Sequence, residues 1–425
     1  MIELGTAYQI VAQHSQPLAA EGAVDLWSSL DRVLGRKIVS RFDIPPAAKA
    51  LMDGYAVHAE DLTFPEQRLQ LCERVAAGQC PTRPLPRGYT TQVMTGAPLP
   101  DGADAVVMRE KTSDRPQDGH IVFHVHEINP GINVGAAGSS IQRGETIFQA
   151  GRRLSAIDVG VLAELGVARV DVVARPTVAV LSTGSELVDV KGRPKPGQVY
   201  NSNGPLLCAL LRRWGLQPLD LGIGPDEPDA LSQLIRQGLQ ADILLLTGGV
   251  SAGDWDLVPG LLAQLGVRQL FHRVRLKPGK PIWFGCQSEG RDDGERLVGD
   301  GTEGAPPPAS RLVFGLPGNP VSTLACFHLF VLPALRRLAG EAWVSPEEAM
   351  QTALLDGPWR RTCDRPTFWP ASLSHRSGRI MLRPRTWHGS YDLRALAEAD
   401  ALLSLDVGHH ALEDEAPVRY LPLTR

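Results

Sequence analysis

From Thr177 onward, apolar runs of strand length alternate with amphipathic stretches of helical spacing. "TVAVLS", "LQPLDLGIG", "DILLLTGG" and "RQLFHRV" read as strands. "GPLLCALLRRWG", "EPDALSQLIRQGLQ" and "LVPGLLAQLG" read as helices between them. In the first, Leu206, Leu207, Leu210, Leu211 and Trp214 share one face, and Gly215 stops it. Pro228 suits the first turn of the second, where its missing N–H costs nothing. The continuous run in "DILLLTGG" fits a strand buried on both faces. This βαβα order predicts a mostly parallel α/β sheet. "PIWFG" and "RLVFG" flank a polar segment, 287–310, rich in Gly, Pro and acids, and read as the arms of a hairpin. "NPVSTLACFHLFVLPALRRLAG" predicts a helix with Asn319 as N-cap and Pro320 in the first position.

Before Thr177 the pattern is less regular. "AVDLWSSLDRVLGRKIV" has helical spacing and Gly35 near its end. Residues 53–135 read as β-rich, with short strands in "AVVMRE" and "HIVFHVHEI", the latter placing His124 and His126 on a strand. "SAIDVGVLAELGV" reads as a helix capped by Ser155. Residues 342–425 return to short strands and turns, predicting a small β domain.

A chain of 425 residues has room for several domains, and 43% hydrophobic with 21% charged residues is the balance of a soluble globular protein. The net charge of −4 supplies no global basic field, which argues against nucleic acid as the main partner, so an anionic ligand must meet local cations. The six cysteines form no CxxC pair, and Cys208 and Cys326 fall in apolar helical patterns, as expected of free thiols in a reducing compartment. The N-terminus lacks a basic, apolar leader, and no window has the length and apolarity of a membrane span, so the cytoplasm is expected.

In open α/β sheets ligands bind beyond the carboxyl ends of the strands. There the sequence places Thr183-Gly184-Ser185-Glu186, Pro225-Asp226, Gly248-Gly249 with Ser251, Asp254 and Asp256, and Pro317-Gly318-Asn319 with Ser322. Lys277 and Lys280 flank a Pro-Gly turn in "RLKPGKPIWFG", and two ammonium groups that close repel unless an anion lies between them. Carboxylates in oxygen-rich loops suit Mg²⁺, while lysines and loop N–H groups suit phosphate or another oxyanion. Any single Gly-rich turn is more often only a turn, and isolated acids more often form surface ion pairs; several such loops on one edge are more specific. Asp53 and Thr95-Gly96 read equally well as turn residues or as functional ones. The histidines form no defensible site: His328 reads as packed, and His409-His410 as surface. HExxH, GxSxG and GxxxxGK[ST] are all absent.

"MDGYAV", "VMTGAPLPDGADAVV", "STGSEL", "GQVYNSN", "GGVSAGDWD", "KPGKP" and "LPGNPVS", in this order, resemble the molybdopterin molybdenumtransferases, the group of bacterial MoeA and the gephyrin E-domain. The likeness spans roughly residues 20–340, with "RPTFWP" and "HGSYDLRALAEADALLSL" as weaker matches beyond. It implies a multidomain α/β and β fold. Residues 1–45 and 143–176 would form an elongated helical/β dimerisation domain, and 46–142 a β-rich domain. Residues 177–341 would form a MogA-like parallel α/β domain, and 342–425 a C-terminal β-barrel-like domain. The implied activity is Mg²⁺-dependent insertion of molybdate into adenylylated molybdopterin with release of AMP. The implied assembly is a homodimer, and the implied protein partners are the adenylyltransferase that makes the substrate and the molybdoenzyme acceptors. By the same resemblance Glu186, Asp226 and Asp256 would hold Mg²⁺ or orient water, and Asp53 and Thr95 would reach the site from the other subunit. Lys277 and Lys280 would face molybdate opposite Pro317, Gly318, Asn319 and Ser322. Thr183, Gly184, Gly248, Gly249 and Ser251 would bind substrate, with Arg365 and Ser390 as last-domain contacts.

Two stretches depart from the family pattern. "PAAKALMDGYAV" lacks the Asn and Ser the family carries ahead of Asp53, and "NVGAAGSSI" puts Gly135 in place of an arginine and Ser139-Ser140 in place of acids. A divergent paralogue that carries molybdopterin without cleaving it is therefore the alternative, and a protein-recruiting scaffold a third class.

Overall fold

The buried runs after Thr177 are the strands of one six-stranded sheet, in the order Leu219–Gly224, Val178–Thr183, Ile243–Thr247, Ser310–Leu316, Trp283–Ser288, Arg268–His272. The computed structural model describes residues 1–115, 118–249, 257–288 and 310–423. The first four strands are parallel, and Trp283–Ser288 runs antiparallel between Ser310–Leu316 and the edge strand Arg268–His272, so the predicted hairpin extends one side of a parallel sheet. Helices Asn203–Arg213, Pro228–Gly238 and Leu257–Gln264 follow their strands as the periodicity predicts. The sheet is buried on both faces. Leu245, Phe284 and Phe314 pack on one side with Leu207, Leu211, Phe327 and Phe330, and Leu181, Leu244 and Leu246 on the other with Leu231, Ile235 and Leu262.

The chain divides into two compact units, one of residues 1–35, 151–160 and 167–425, the other of 36–150 and 161–166. In the first, the segment from Pro320 to Leu338 is continuously helical, with a π turn at Phe327–Val331. Pro333 cannot donate an N–H to the turn before it, which is the local reason for the irregularity. At 19 residues with mean hydropathy 1.3 this helix has the length and apolarity of a membrane span, contrary to the sequence expectation, but 83% of it is buried inside the protein. Residues 351–422 supply a closed five-stranded barrel, Gln351–Leu355, Arg379–Pro384, Thr367–Arg376, Ala401–Leu405 and Pro417–Pro422, filled by Leu355, Leu382, Leu403 and Tyr420.

The N-terminal expectation needs correction. The helix lies at Leu4–His14, burying Leu4, Ala7, Tyr8 and Val11 at helical spacing. Within "AVDLWSSLDRVLGRKIV", residues 23–25 belong to a strand, Ala20–Asp25, followed by a single 3₁₀ turn, Leu26–Ser29. The strand pairs antiparallel with Arg169–Val173, a partner far along the chain that overrides the local period.

The second unit is built on a six-stranded sheet in the order Ala105–Met108, Gly54–Val57, Tyr89–Val93, Gln67–Val75, His120–Phe123, Thr112–Arg115. Tyr55 meets Phe123 edge to face at 6.0 Å in its core. The strand ends at Phe123, so His124 and His126 lie past it, and His124 Nε2 hydrogen-bonds Ser113 Oγ at 2.6 Å. Ser155 and Asp158 cap the helix Ala156–Glu164 reciprocally, as expected of its N-terminus.

Gly54 has no room for a side chain: a Cβ there would sit 2.0 Å from the Val107 carbonyl oxygen on the neighbouring strand. Gly54→Ala is expected to destabilise the protein by about 3 kcal/mol through overpacking. Thermal unfolding followed by circular dichroism checks this, and an unchanged first transition would contradict it.

Candidate active site

A cleft of about 690 Å³ opens at the carboxyl edge of the α/β sheet, lined on one side by Lys277, Pro278, Gly279 and Lys280 and on another by Pro317, Gly318, Asn319 and Ser322. The lysine turn is held from two directions. Lys277 N–H donates to Pro366 O at 2.9 Å, and Phe368 N–H donates to Lys277 O at 2.7 Å, which ties the turn to the barrel. Below it, a Cβ on Gly279 (φ +116°) would lie 2.6 Å from Cys326 Sγ, so only glycine lets the turn rest on the central helix. Burial pushes the Cys326 thiol pKa up, as suits a packed and unreactive cysteine. Lys277 is half-buried and Lys280 exposed. Among the described residues neither makes an ion pair.

The opposite wall, "LPGNPVS", is fixed by hydrogen bonds the sequence did not disclose. Asn319 is the backbone N-cap of the central helix, but its side chain does not cap. Its Nδ2 donates instead to Ser390 Oγ at 2.9 Å, while Val321 N–H donates to Ser390 O at 3.1 Å. Thr323 Oγ1 donates to Pro317 O at 2.6 Å. Asn203 Nδ2 donates to Gly318 O at 2.6 Å, leaving its buried Oδ1 without a partner. Behind this lies a buried polar chain: Thr247 Oγ1 to Ser182 Oγ at 3.1 Å, Ser182 Oγ to Asn201 Oδ1 at 3.2 Å, and Gly204 N–H to the same oxygen at 3.1 Å. The motif "GQVYNSN" thus positions strand ends, a role its residue types alone do not reveal.

Residues of the last part of the chain close the cleft, most of them outside the sequence reading: Arg361 on the strand Trp359–Cys363, which pairs with Gly408–Leu412 apart from the barrel, with Trp369, Trp387 and His388, beside the expected Arg365 and Ser390. Arg361 stacks over Trp369 with its guanidinium carbon 4.6 Å from the ring centre, and Trp369 meets Trp387 edge to face at 4.8 Å. Their only sequence signal is a tryptophan-rich β segment next to paired arginines. Arg365 pairs with Asp364 at 3.0 Å, and its hydrogen bond lowers the Asp364 pKa, with Lys277 adding to the effect.

Of the remaining expected residues, Glu186 lines the cleft, and Asp226 Oδ2 accepts the Ser185 N–H at 2.9 Å. Neither carboxylate has an ion-pair partner among the described residues. Thr183 is buried and donates to Thr247 O at 3.4 Å, at the start of the loops that carry Gly184 and Gly248-Gly249. Ser251, Asp254 and Asp256 lie outside the described residues. Among the described residues no three His, Cys, Asp or Glu converge as a metal-binding group.

Asp53 and Thr95 meet in the other unit. Asp53 Oδ1 accepts both the Thr95 N–H and its hydroxyl, each at 2.7 Å. These bonds, helped by the charge of Arg109, lower the Asp53 pKa and keep its carboxylate ionised. Arg74, Gln79, Gln92 and Arg109 line the adjoining cleft of about 260 Å³. In the departing segment, Ser139 N–H donates to Ala136 O and Ser140 N–H to Ile44 O, and both side chains are exposed.

Comparison with known proteins accounts for nearly the whole chain. Residues 2–166 match the MoeA N-terminal region (domain I and II), 179–337 a probable molybdopterin binding domain, and 352–423 the MoeA C-terminal region (domain IV). A molybdopterin molybdenumtransferase of Nostoc sp. is 36% identical over 324 residues, covering 75% of this chain and 70% of the relative. Proteins of the same name from Staphylococcus epidermidis (30% identical, 91% and 87% covered) and Bacillus subtilis (28%, 96% and 91%) align over most of both chains. The crystal structure of a molybdopterin biosynthesis MoeA protein from Pyrococcus horikoshii superposes with a TM-score of 0.80 at 28% identity, covering 100% of each chain. With its motifs, its fold and its full-length relatives in agreement, the chain belongs to the MoeA family, the molybdopterin molybdenumtransferases.

Proposed function

We propose that this protein is a transferase of molybdenum cofactor biosynthesis that inserts molybdate into adenylylated molybdopterin and releases AMP. The observation that carries this reading is the pair of lysines, without ion pairs among the described residues, lining one cleft with the "LPGNPVS" turn. A tetrahedral dianion meets two ammonium groups there, with Ser322, Ser390 and Arg365 as further donors. In the reaction, water attacks phosphorus, the phosphorus–oxygen bond between pterin phosphate and AMP breaks, and the two dithiolene thiols replace two oxygens on molybdenum, which leave as water with the two thiol protons and the two released by hydrolysis. Charge accumulates on oxygens throughout, and fixed cations stabilise it without reorganising.

Among the described residues no arginine or lysine pairs with Glu186 or Asp226, which fits oxygen donors for a hard cation, and they would hold Mg²⁺ with Asp256 as the third acid of the same reading. The ion would supply polarisation of the phosphoryl oxygens. Asp53 with Thr95 would complete the site from a second copy of the chain. A homodimer is supported by three exposed apolar side chains on the N-terminal segments, Trp27 (83% exposed), Leu30 (46%) and Ile157 (80%). The four-domain division at 1–45 with 143–176, 46–142, 177–341 and 342–425 belongs to this reading.

The Lys277→Ala/Lys280→Ala double variant is expected to lower AMP release from adenylylated molybdopterin, Mg²⁺ and molybdate by about a hundredfold. AMP release at the wild-type rate in that variant would sink the reading.

Thr95→Val removes the hydroxyl bond to Asp53 but keeps the N–H bond. The Asp53 pKa, lowered in the native protein, should then rise toward the ordinary carboxylate range. The carboxylate is ionised above its pKa, so the acid limb of the pH–rate profile should move to higher pH. An unmoved limb would show that Asp53 ionisation does not control turnover.

The second reading, a carrier that binds the pterin without cleaving it, is favoured by Ser139 and Ser140 where the family has acids. It predicts binding of adenylylated molybdopterin with AMP release near background, and release restored in Ser140→Asp. Wild-type turnover unaffected by Ser140→Asp would dismiss it.

A further inference from the structure

Splitting a pyrophosphate releases protons, and oxygens that leave molybdenum as water consume them. A cleft that hosts both steps needs a group that takes up a proton and gives it back. Lys277, Lys280, Arg361 and Arg365 line the cleft, but a charged ammonium or guanidinium group has no lone pair for a proton. Among the described lining residues only Glu186 and His388 can accept one, and in the proposed function Glu186 is taken by the cation.

His388 is held for that task. Its ring Nδ1 lies 3.0 Å from Asp392 Oδ2, and its backbone N–H donates to the same oxygen at 3.2 Å. These bonds, the backbone one foremost, hold the Asp392 carboxyl below its ordinary pKa, so it is ionised and can only accept. Nδ1 must therefore carry the hydrogen, which leaves the lone pair on Nε2. Nε2 has no hydrogen bond with the described residues. The imidazole is 70% exposed and the Asp392 side chain 16%, so the ring is presented while its support is covered. Asp392 also offsets the four cations of the lining, which would otherwise oppose a charged ring. The loop is anchored on both sides of His388: Trp387 Nε1 donates to Gly389 O, and Ser390 holds Asn319 and Val321 of the facing wall.

We infer that His388 is a catalytic proton shuttle in this cleft, oriented by Asp392, an inference that rests on the molybdenum-transfer reading. Nε2 takes one proton from the attacking water as the water oxygen bonds to phosphorus. The phosphorus–oxygen bond between the two phosphates breaks, with its electron pair on the departing phosphate. The second proton of the water is lost as the new phosphate ionises. The imidazolium, held by Asp392, then passes its proton to an oxygen that leaves molybdenum as water, and the neutral ring is restored. Asp392 acts only through the ring and is a positioning residue.

The assay is AMP release by the full-length protein from adenylylated molybdopterin with Mg²⁺ and molybdate. His388→Ala should lower kcat about a hundredfold with KM little changed, and added imidazole should restore much of the loss saturably. His388→Gln, which offers Asp392 a donor but no base, should be as slow as His388→Ala. Asp392→Asn should lower kcat by about tenfold or more, again with KM little changed. Lys277→Ala/Lys280→Ala should gain nothing from imidazole. If the native protein releases AMP, a wild-type rate in either His388 variant or in Asp392→Asn would overturn the inference and leave the transferase reading standing. So would failure of imidazole to restore His388→Ala, or an equal gain from imidazole in the lysine variant. No AMP release by the native protein would overturn that reading and the inference with it.

Discussion

The cleft depends on one backbone exchange: Lys277 donates to Pro366 and accepts from Phe368. These two hydrogen bonds tie the lysine turn to the barrel at a residue that lines the cleft. Because the backbone is satisfied by a barrel strand, the side chain is left to face the cavity. Gly279 fixes the other side, since its backbone rests against Cys326 with no space for a Cβ. The turn can neither rise from the helix nor swing from the barrel. A site that stabilises charge by preorganisation needs that rigidity, because donors that move to meet the charge lose the advantage over water.

The facing turn obeys the same logic. Asn203 holds Gly318, Thr323 holds Pro317, and Ser390 grips both Asn319 and Val321. The bonds to Pro317 and Gly318 satisfy carbonyls within the wall, and the holding groups come from three different segments. The cleft therefore belongs to the junction: neither the sheet alone nor the barrel alone makes it.

Much of this was legible in the sequence, and what was not has a common cause. The βαβα order, the strand-end loops and the lysine turn were readable because they rest on local periodicity and on the rule that parallel sheets bind at their carboxyl edge. Residues 23–25 of the strand Ala20–Asp25 read as helix because the strand's stabilising partner, Arg169–Val173, is remote. Asn319 was read as a side-chain cap because local rules favour that role, whereas its amide is taken by Ser390 from the barrel. Arg361 and Trp387 were invisible because nothing local says which face of a barrel strand or loop looks at another domain. Tertiary contacts of long sequence separation decide those positions.

The charge arrangement argues most directly for a working site. Among the described residues Lys277, Lys280, Glu186 and Asp226 all stand without ion-pair partners, although the protein pairs arginines freely elsewhere, as in Arg153 with Glu341 or Arg376 with Glu415. Ion pairs between exposed groups are worth little, so leaving these unpaired costs the fold little. What it preserves is binding capacity: a lysine already neutralised by a carboxylate must break that pair before it can hold an oxyanion. Acids and lysines kept apart at one sheet edge can instead engage a metal ion and an oxyanion at the same time, each with its charge intact. Stability hardly distinguishes the joined from the separated arrangement, so ligand binding is the stronger reason for the separation.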